Sequence, residues 1–233
     1  MAIAAAKSGG PLRRDDRSMR HLRRSRPRAG GTGVIRHAAP AIDPVLALLN
    51  RLPPLPQVDL AHSLKVTRLS LSLFDALATP LGIDPRGREL LAMAALWHDS
   101  GQALEERAHH KHSYALIMAA PVPWLDPAAQ GQVACIARYH RRSLPAIRHA
   151  GFAALPDPAR LGVCQLAGLL RIADGLDYSH RGLVHDLQVT VADTVEILAA
   201  GSAAAEVEIK RAREKADLFA ATFKLTLEIG RRA

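Results

Sequence analysis

Between residues 43 and 177 the chain alternates apolar stretches at helical spacing with short polar or proline-bearing breaks. The pattern predicts a short helix over about 43–51, followed by a break at "RLPPLPQVDLAH". Asp59 can cap a second helix running to about Leu77, in which Val66, Leu69 and Leu73 share one face. Asp84 and then Pro85 open a third, to about Trp97, which Gly101 can end. A fourth is expected over about 112–120, stopped by Pro121, and a fifth from Asp126 and Pro127 to about His140. Pro156 and Pro158 precede a long helix over about 159–177.

After residue 180 the period changes. "LVHDLQVTVA" and "TVEILAA" alternate and are rich in Val and Ile, as half-buried strands are. "AAEVEIK" reads as a third strand, "REKADLFAATF" as a helix and "KLTLEIG" as a last strand. The expected fold is mainly α: a helical domain over 41–180 and a small C-terminal α+β subdomain over 181–233.

Composition refines this picture. Apolar residues make up 48% of the 233 and aromatics only 4%, so the core is built from small and branched aliphatic side chains, which favours packed helices. No apolar run reaches the roughly 18–20 residues of a membrane span. The two cysteines, Cys135 and Cys164, lie in apolar helical patterns, which argues against a disulfide framework and excludes a CxxC metal site. A soluble, cytoplasmic protein is the expectation. The net charge of +9 is concentrated in residues 1–37, which hold ten Lys or Arg and only Asp15 and Asp16. The remainder is near neutral and offers no electrostatic case for sequence-specific DNA binding. The head, residues 1–40, reads as a disordered basic tail, with a polyanion contact or a transit peptide as alternatives.

Polar residues then stand out on the apolar faces. His62 lies on the face of Val66, Leu69 and Leu73; His98 follows Leu91 and Ala94; His140 follows Val133 and Ile136; Asp174 follows Ala167 and Leu170. Asp99 sits beside His98 in "LWHDSGQ". Each histidine alone can be a hydrogen-bonded core residue. A buried carboxylate without a partner is costly, so Asp174 asks for a cation, a donor cluster or a metal; Arg171, three residues away, could pair with it. Together, three imidazoles and two carboxylates from separate helices make a mixed nitrogen and oxygen site suited to Zn, Fe, Mn or a mixed pair. "HHKHS" adds His109, His110 and His112 with Lys111, and "RYHRR" places Arg138, Arg141 and Arg142 around His140; such charges hold anions as readily as they solvate a surface.

His62, His98-Asp99 and Asp174 resemble the H…HD…D pattern of the HD-domain metal-dependent phosphohydrolases. The longer motifs "HDSGQ", "HHKHSYALI", "ARYHRRSLP", "LLRIADGLDYSH" and "REKADLF" resemble, in order, the C-terminal HD region of the Ppx/GppA exopolyphosphatase and guanosine-pentaphosphatase family, over about residues 45–229. The resemblance implies an HD-domain helical bundle and a metal set of His62, His98, Asp99 and Asp174. His110 or His112, with His112 preferred, and His140 would complete a second site. Ser100 and Gln102 depart from the family's usual aliphatic and aromatic neighbours, and Tyr178 stands where Arg is expected.

In full-length relatives an actin-like phosphatase module precedes this region, and no Gly-rich phosphate loop appears here. The implied activity is therefore that of the HD site itself. One or two divalent ions (Mn, Fe, Co, Ni, Zn or Mg) would generate hydroxide to attack phosphorus. His98 and Asp99 would lie at the catalytic centre, with Lys111, Arg141, Arg142 and His110 holding a nucleotide or other phosphate ester or anhydride. The alternative is a non-catalytic accessory module that binds polyphosphate, a nucleotide or a partner phosphatase domain; as partners, a second copy of the chain (a homodimer) or an actin-like phosphatase module is expected.

Overall fold

The structure, a computed structural model, describes residues 43–232; the basic head expected over 1–40 lies outside them. The chain is mainly α with a small three-stranded sheet near its C-terminal end. The helices are α1 (Pro44–Arg51), α2 (Leu60–Leu81), α3 (Gly87–Trp97), α4 (His109–Ala119), α5 (Pro127–Arg138), α6 (Ala150–Ala153) and α7 (Asp157–Gly175). The sheet comprises β1 (Val184–Val191), β2 (Thr194–Gly201) and β3 (Thr226–Arg231); between β2 and β3 lie α8 (Glu206–Glu214) and α9 (Asp217–Phe223).

Local chemistry sets most of these boundaries. Asp43, Asp59 and Asp126 each accept a backbone N–H of the first turn of α1, α2 and α5, as N-caps do. Gly82 closes α2 at φ 64°, a left-handed geometry that costs glycine little. The central helices bury a continuous face of Val66, Leu73, Leu91, Leu96, Val133, Ile136, Leu169 and Ile172. β1 and β2 pair antiparallel, β2 and β3 parallel, in the order β1-β2-β3. Val195, Ile197 and Ile229 of the sheet belong to the same apolar core as the helices.

Four expectations change. Asp84 does not cap α3: its carboxylate closes a turn on the Arg86 amide, and the helix begins at Gly87. Gly101 does not end α3; it lies in a 3-10 turn, Ser100–Ala103, that follows His98 and Asp99. A methyl there would overlap the His109 carbonyl and the Ser113 amide, so glycine is required by the close passage of α4. α4 starts at His109, about one turn earlier than the pattern indicates. The "AAEVEIK" segment is helical instead of extended. Its Val-Glu-Ile alternation mimics a strand, but it is rich in good helix formers, and Ala205, Glu208, Ile209 and Ala212 make one buried helical face while Val207 is exposed.

Among the described residues no helix is long and apolar enough to cross a membrane.

Candidate metal centre

The residues that stood out on apolar faces meet in space. His62 comes from the first turn of α2, His98 and Asp99 follow α3, His140 follows α5, and Asp174 lies in the last turn of α7. The structure adds His109, the first residue of α4. His62, His98, His109 and His140 are all buried to 2% exposure or less.

Each imidazole is oriented by the nitrogen it turns away from the cluster. The Nδ1 of His98 lies 2.7 Å from the Ala95 carbonyl, that of His109 2.8 Å from the Glu106 carbonyl, and that of His140 2.7 Å from the Ala137 carbonyl. A carbonyl can only accept, so Nδ1 donates in all three and Nε2 keeps its lone pair. His62 instead sets its Nδ1 2.8 Å from Asp177 Oδ2, in a buried contact. Four Nε2 atoms therefore face one another around Asp99.

The distances define two subsites that share this carboxylate. Asp99 Oδ2 lies 3.4 Å from His98 Nε2 and 4.0 Å from His62 Nε2, while Asp174 Oδ1 is 3.5 Å from His62 Nε2. Asp99 Oδ1 lies 3.0 Å from His109 Nε2 and 3.4 Å from His140 Nε2, and those two nitrogens are 3.2 Å apart. His62, His98 and Asp99 form one group able to hold a metal ion; Asp99, His109 and His140 form another. His62 Nε2, His98 Nε2 and Asp99 Oδ1 are buried without a hydrogen-bond partner. Orphaned polar atoms of this kind are costly, and lone pairs that face each other repel. A divalent cation removes both penalties, so the donor set fits such an ion. Its nitrogen and carboxylate composition suits borderline metals better than a thiolate-selective site would.

The electrostatics agree. Burial pulls the His98 and His140 imidazoles below their usual range, which keeps them neutral and able to ligate. Burial also opposes ionisation of Asp99 and Asp174. The imidazoles of His98, His109 and His140 around it nevertheless hold Asp99 below the usual carboxylate range. For Asp174 the Lys215 ammonium does this first, and the nearby His62 imidazole adds to it. Burial lowers His62 too, but the carboxylates of Asp174 and Asp177 beside it outweigh that and raise it to about 9. Near neutral pH His62 then carries a proton on both nitrogens, and a metal held at Nε2 would have to displace one.

Neighbouring groups brace the cluster. Asp59 caps α2 at the His62 amide with one oxygen and meets His180 Nδ1 at 2.9 Å with the other. The His180 ring stacks on His62 at 3.7 Å. Ser113 Oγ donates to the His98 carbonyl and accepts from the Gly101 amide, tying α4 to the turn that carries Asp99. Ser100 donates to the Trp97 carbonyl, and the Gln102 amide reaches Asp99 Oδ2 at 2.6 Å. The unexpected neighbours of Asp99 thus support its position.

A cavity of about 310 Å³ opens beside Asp99, lined also by His140, Arg141, Arg142, Asp174 and Lys215. Arg141 lies against His109, 3.2 and 3.3 Å from its ring nitrogens. Arg142 adopts φ 58°, a left-handed backbone that only a few side chains tolerate. Tyr178, which replaces an expected arginine, carries the Arg211 guanidinium 4.5 Å above its ring.

Three sequence-based candidates fall elsewhere. His112 is half-exposed and pairs with Glu105 at 3.1 Å, outside both subsites; His109 occupies the place expected for it. The earlier start of α4 explains this: His109, His110, Ser113 and Ile117 form the buried face, and His112 turns outward. Lys111 is exposed on α4 and does not line the cavity. His110 is buried beside His109 with its Nδ1 unpartnered; burial, aided by His109 and Arg141, lowers it to about 4. Sequence reasoning also missed Asp177 and Lys215, although "LDYSH" and "REKADLF" contain both.

The helical scaffold thus gathers inward-facing imidazoles around a shared aspartate in two groups that could each hold a metal ion. The model of the Ppx/GppA phosphatase, domain III, matches residues 49–218, and the chain belongs to that family. The matched span contains every residue of the cluster and ends before β3. No curated protein matches the chain.

Proposed function

We propose that this chain is an HD-type metal-dependent phosphohydrolase acting on a nucleotide or other phosphate ester or anhydride. The observation that carries the reading is the convergence of four Nε2 atoms, three of them bearing lone pairs, on one aspartate whose two oxygens serve different subsites. His62, His98, Asp99 and Asp174 would hold one divalent ion, and Asp99, His109 and His140 a second. Ions there would supply Lewis acidity toward phosphoryl oxygens and lower the pKa of water enough for nucleophilic attack near neutral pH.

The protein's own residues do the rest. Asp99 sets the spacing of the two subsites. Asp177 orients the His62 ring and keeps its lone pair inward, as outer carboxylates do for metal-binding histidines. Arg141 and Arg142, on the cavity wall, hold the substrate anion.

Metal analysis of purified, reconstituted protein, with a screen of nucleotides and phosphoesters in Mn, Co, Mg and Ni, tests the proposal. One to two bound ions per chain and metal-dependent phosphate release are expected. Asp99→Ala should bind neither ion stoichiometrically and lose turnover by about a thousandfold or more, with helical content intact, since it removes the shared ligand. Absence of bound metal after reconstitution would overturn the metal-based reading. Stoichiometric metal without turnover would overturn the enzymatic one.

A further inference from the structure

Lys215 is a charged side chain at the cavity that the proposed reaction does not yet use. It caps the C-terminal end of α8, where the chain turns into α9, and its main chain is fixed. The buried Arg171 donates to the Lys215 carbonyl at 3.2 Å, pairs with Asp217 at 2.8 Å and reaches the Tyr139 carbonyl at 3.2 Å. Gly175 meanwhile lets α8 approach α7 so closely that a methyl would stand 2.6 Å from the Ala212 Cα. The stem of Lys215 is thus anchored, while its ammonium reaches the cavity.

There it forms an ion pair with Asp174 Oδ2. The two oxygens of Asp174 are divided: Oδ1 faces His62 and the metal subsite, and Oδ2 holds Lys215. An ion taken up on Oδ1 draws off part of the carboxylate charge and weakens the hold on Lys215. The Lys215 side chain is 23% exposed and lines the cavity with Arg141 and Arg142. Three cations from two distant parts of the chain, 141–142 and 215, therefore border one cavity. A cation beside a metal-neutralised carboxylate finds its next-best partner in an anionic oxygen of the occupant.

We propose that Lys215 is a phosphate-binding residue of this site, a third cation supplied by the C-terminal segment and parked on Asp174 until metal and substrate arrive. The proposal rests on the phosphohydrolase reading above, yet it can fail or stand separately from it. It makes the segment that holds α8 a component of the binding site.

The test measures the affinity of inorganic phosphate by calorimetry, for full-length wild type, Lys215→Met and Lys215→Arg, each metal-free and Mn-loaded. Metal affinity and melting temperature are measured in parallel. Lys215→Met should weaken phosphate binding about tenfold through loss of a charge-assisted hydrogen bond. Lys215→Arg should recover most of that loss. Metal affinity of Lys215→Met should be unchanged or tighter, because a competing positive charge is gone. A residue that merely neutralises Asp174 would give a different pattern: Lys215→Met would melt earlier in the metal-free state, with phosphate affinity per loaded site unchanged. That pattern overturns the proposal, as does a wild type that binds no phosphate in either state. Wild type that takes up no metal, with a Lys215→Met variant that binds phosphate more weakly, supports Lys215 as a phosphate contact while refuting both its release by metal and the metal-dependent reading. Metal-loaded wild type with phosphate affinity insensitive to Lys215→Met does the reverse.

Discussion

The two subsites share Asp99 but are built differently. The inner one gathers His62, His98 and Asp174 from α2, α3 and α7 and is backed by Asp177, Asp59 and His180. The outer one has only His109 and His140 besides Asp99, and Arg141 lies against its imidazole. Carboxylates surround the inner ring nitrogens, whereas guanidinium groups border the outer ones. On the proposed reading, the inner subsite would retain a cation, and the outer one would meet an anion brought against a less firmly held cation. Tight retention and substrate contact would then be divided between two halves of one cluster, coupled by the oxygens of Asp99.

Of the changes that separate the two halves, the largest effect should come from removing the outer subsite alone. His109→Ala is expected to lower metal stoichiometry by one ion and turnover by at least about a hundredfold, exceeding the loss from an outer-shell partner. His112→Ala should alter neither quantity. Elemental analysis and phosphate release measure both, and equal losses in the two variants would break the assignment of His109.

A smaller effect separates the inner half. Asp177→Asn keeps the shape of the brace but weakens its hold on His62, and should cost about 10–100-fold in affinity for the more tightly bound ion. Chelator competition reads this. The weaker ion should be displaced at the same chelator concentration as in wild type; a shift of both ions alike would erase the distinction between the halves.

The smallest effect concerns the cationic border. Arg142 is held at φ 58°, so Arg142→Gly relieves backbone strain and should stabilise the fold by about 0.5–1 kcal/mol in urea denaturation. The same change should weaken phosphate binding. Stability and ligand affinity moving in opposite directions would mark strain retained for function; both falling together would make Arg142 a structural residue.

The sequence by itself determined the helical frame of α1 to α5 and α7, though not the short α6, together with the three strands that pair and the inward positions of His62, His98, Asp99, His140 and Asp174. These follow from local rules: an apolar face repeats with the helix, Asp and Pro mark its start, and a polar residue on that face must find a partner. What only the tertiary structure decided lies where local rules give two answers. "AAEVEIK" fits a strand or a helix until α7 packs against it through Gly175. "HHKHS" offers three histidines, and the start of α4 is set by the contact of Gly101 and Ser113 across the preceding turn, which selects His109. Asp177 reaches His62 across 115 residues and Lys215 reaches Asp174 across 41, separations over which no periodicity carries information. A one-dimensional pattern fixes which face of a helix turns inward; which donors meet there depends on how the faces are brought together.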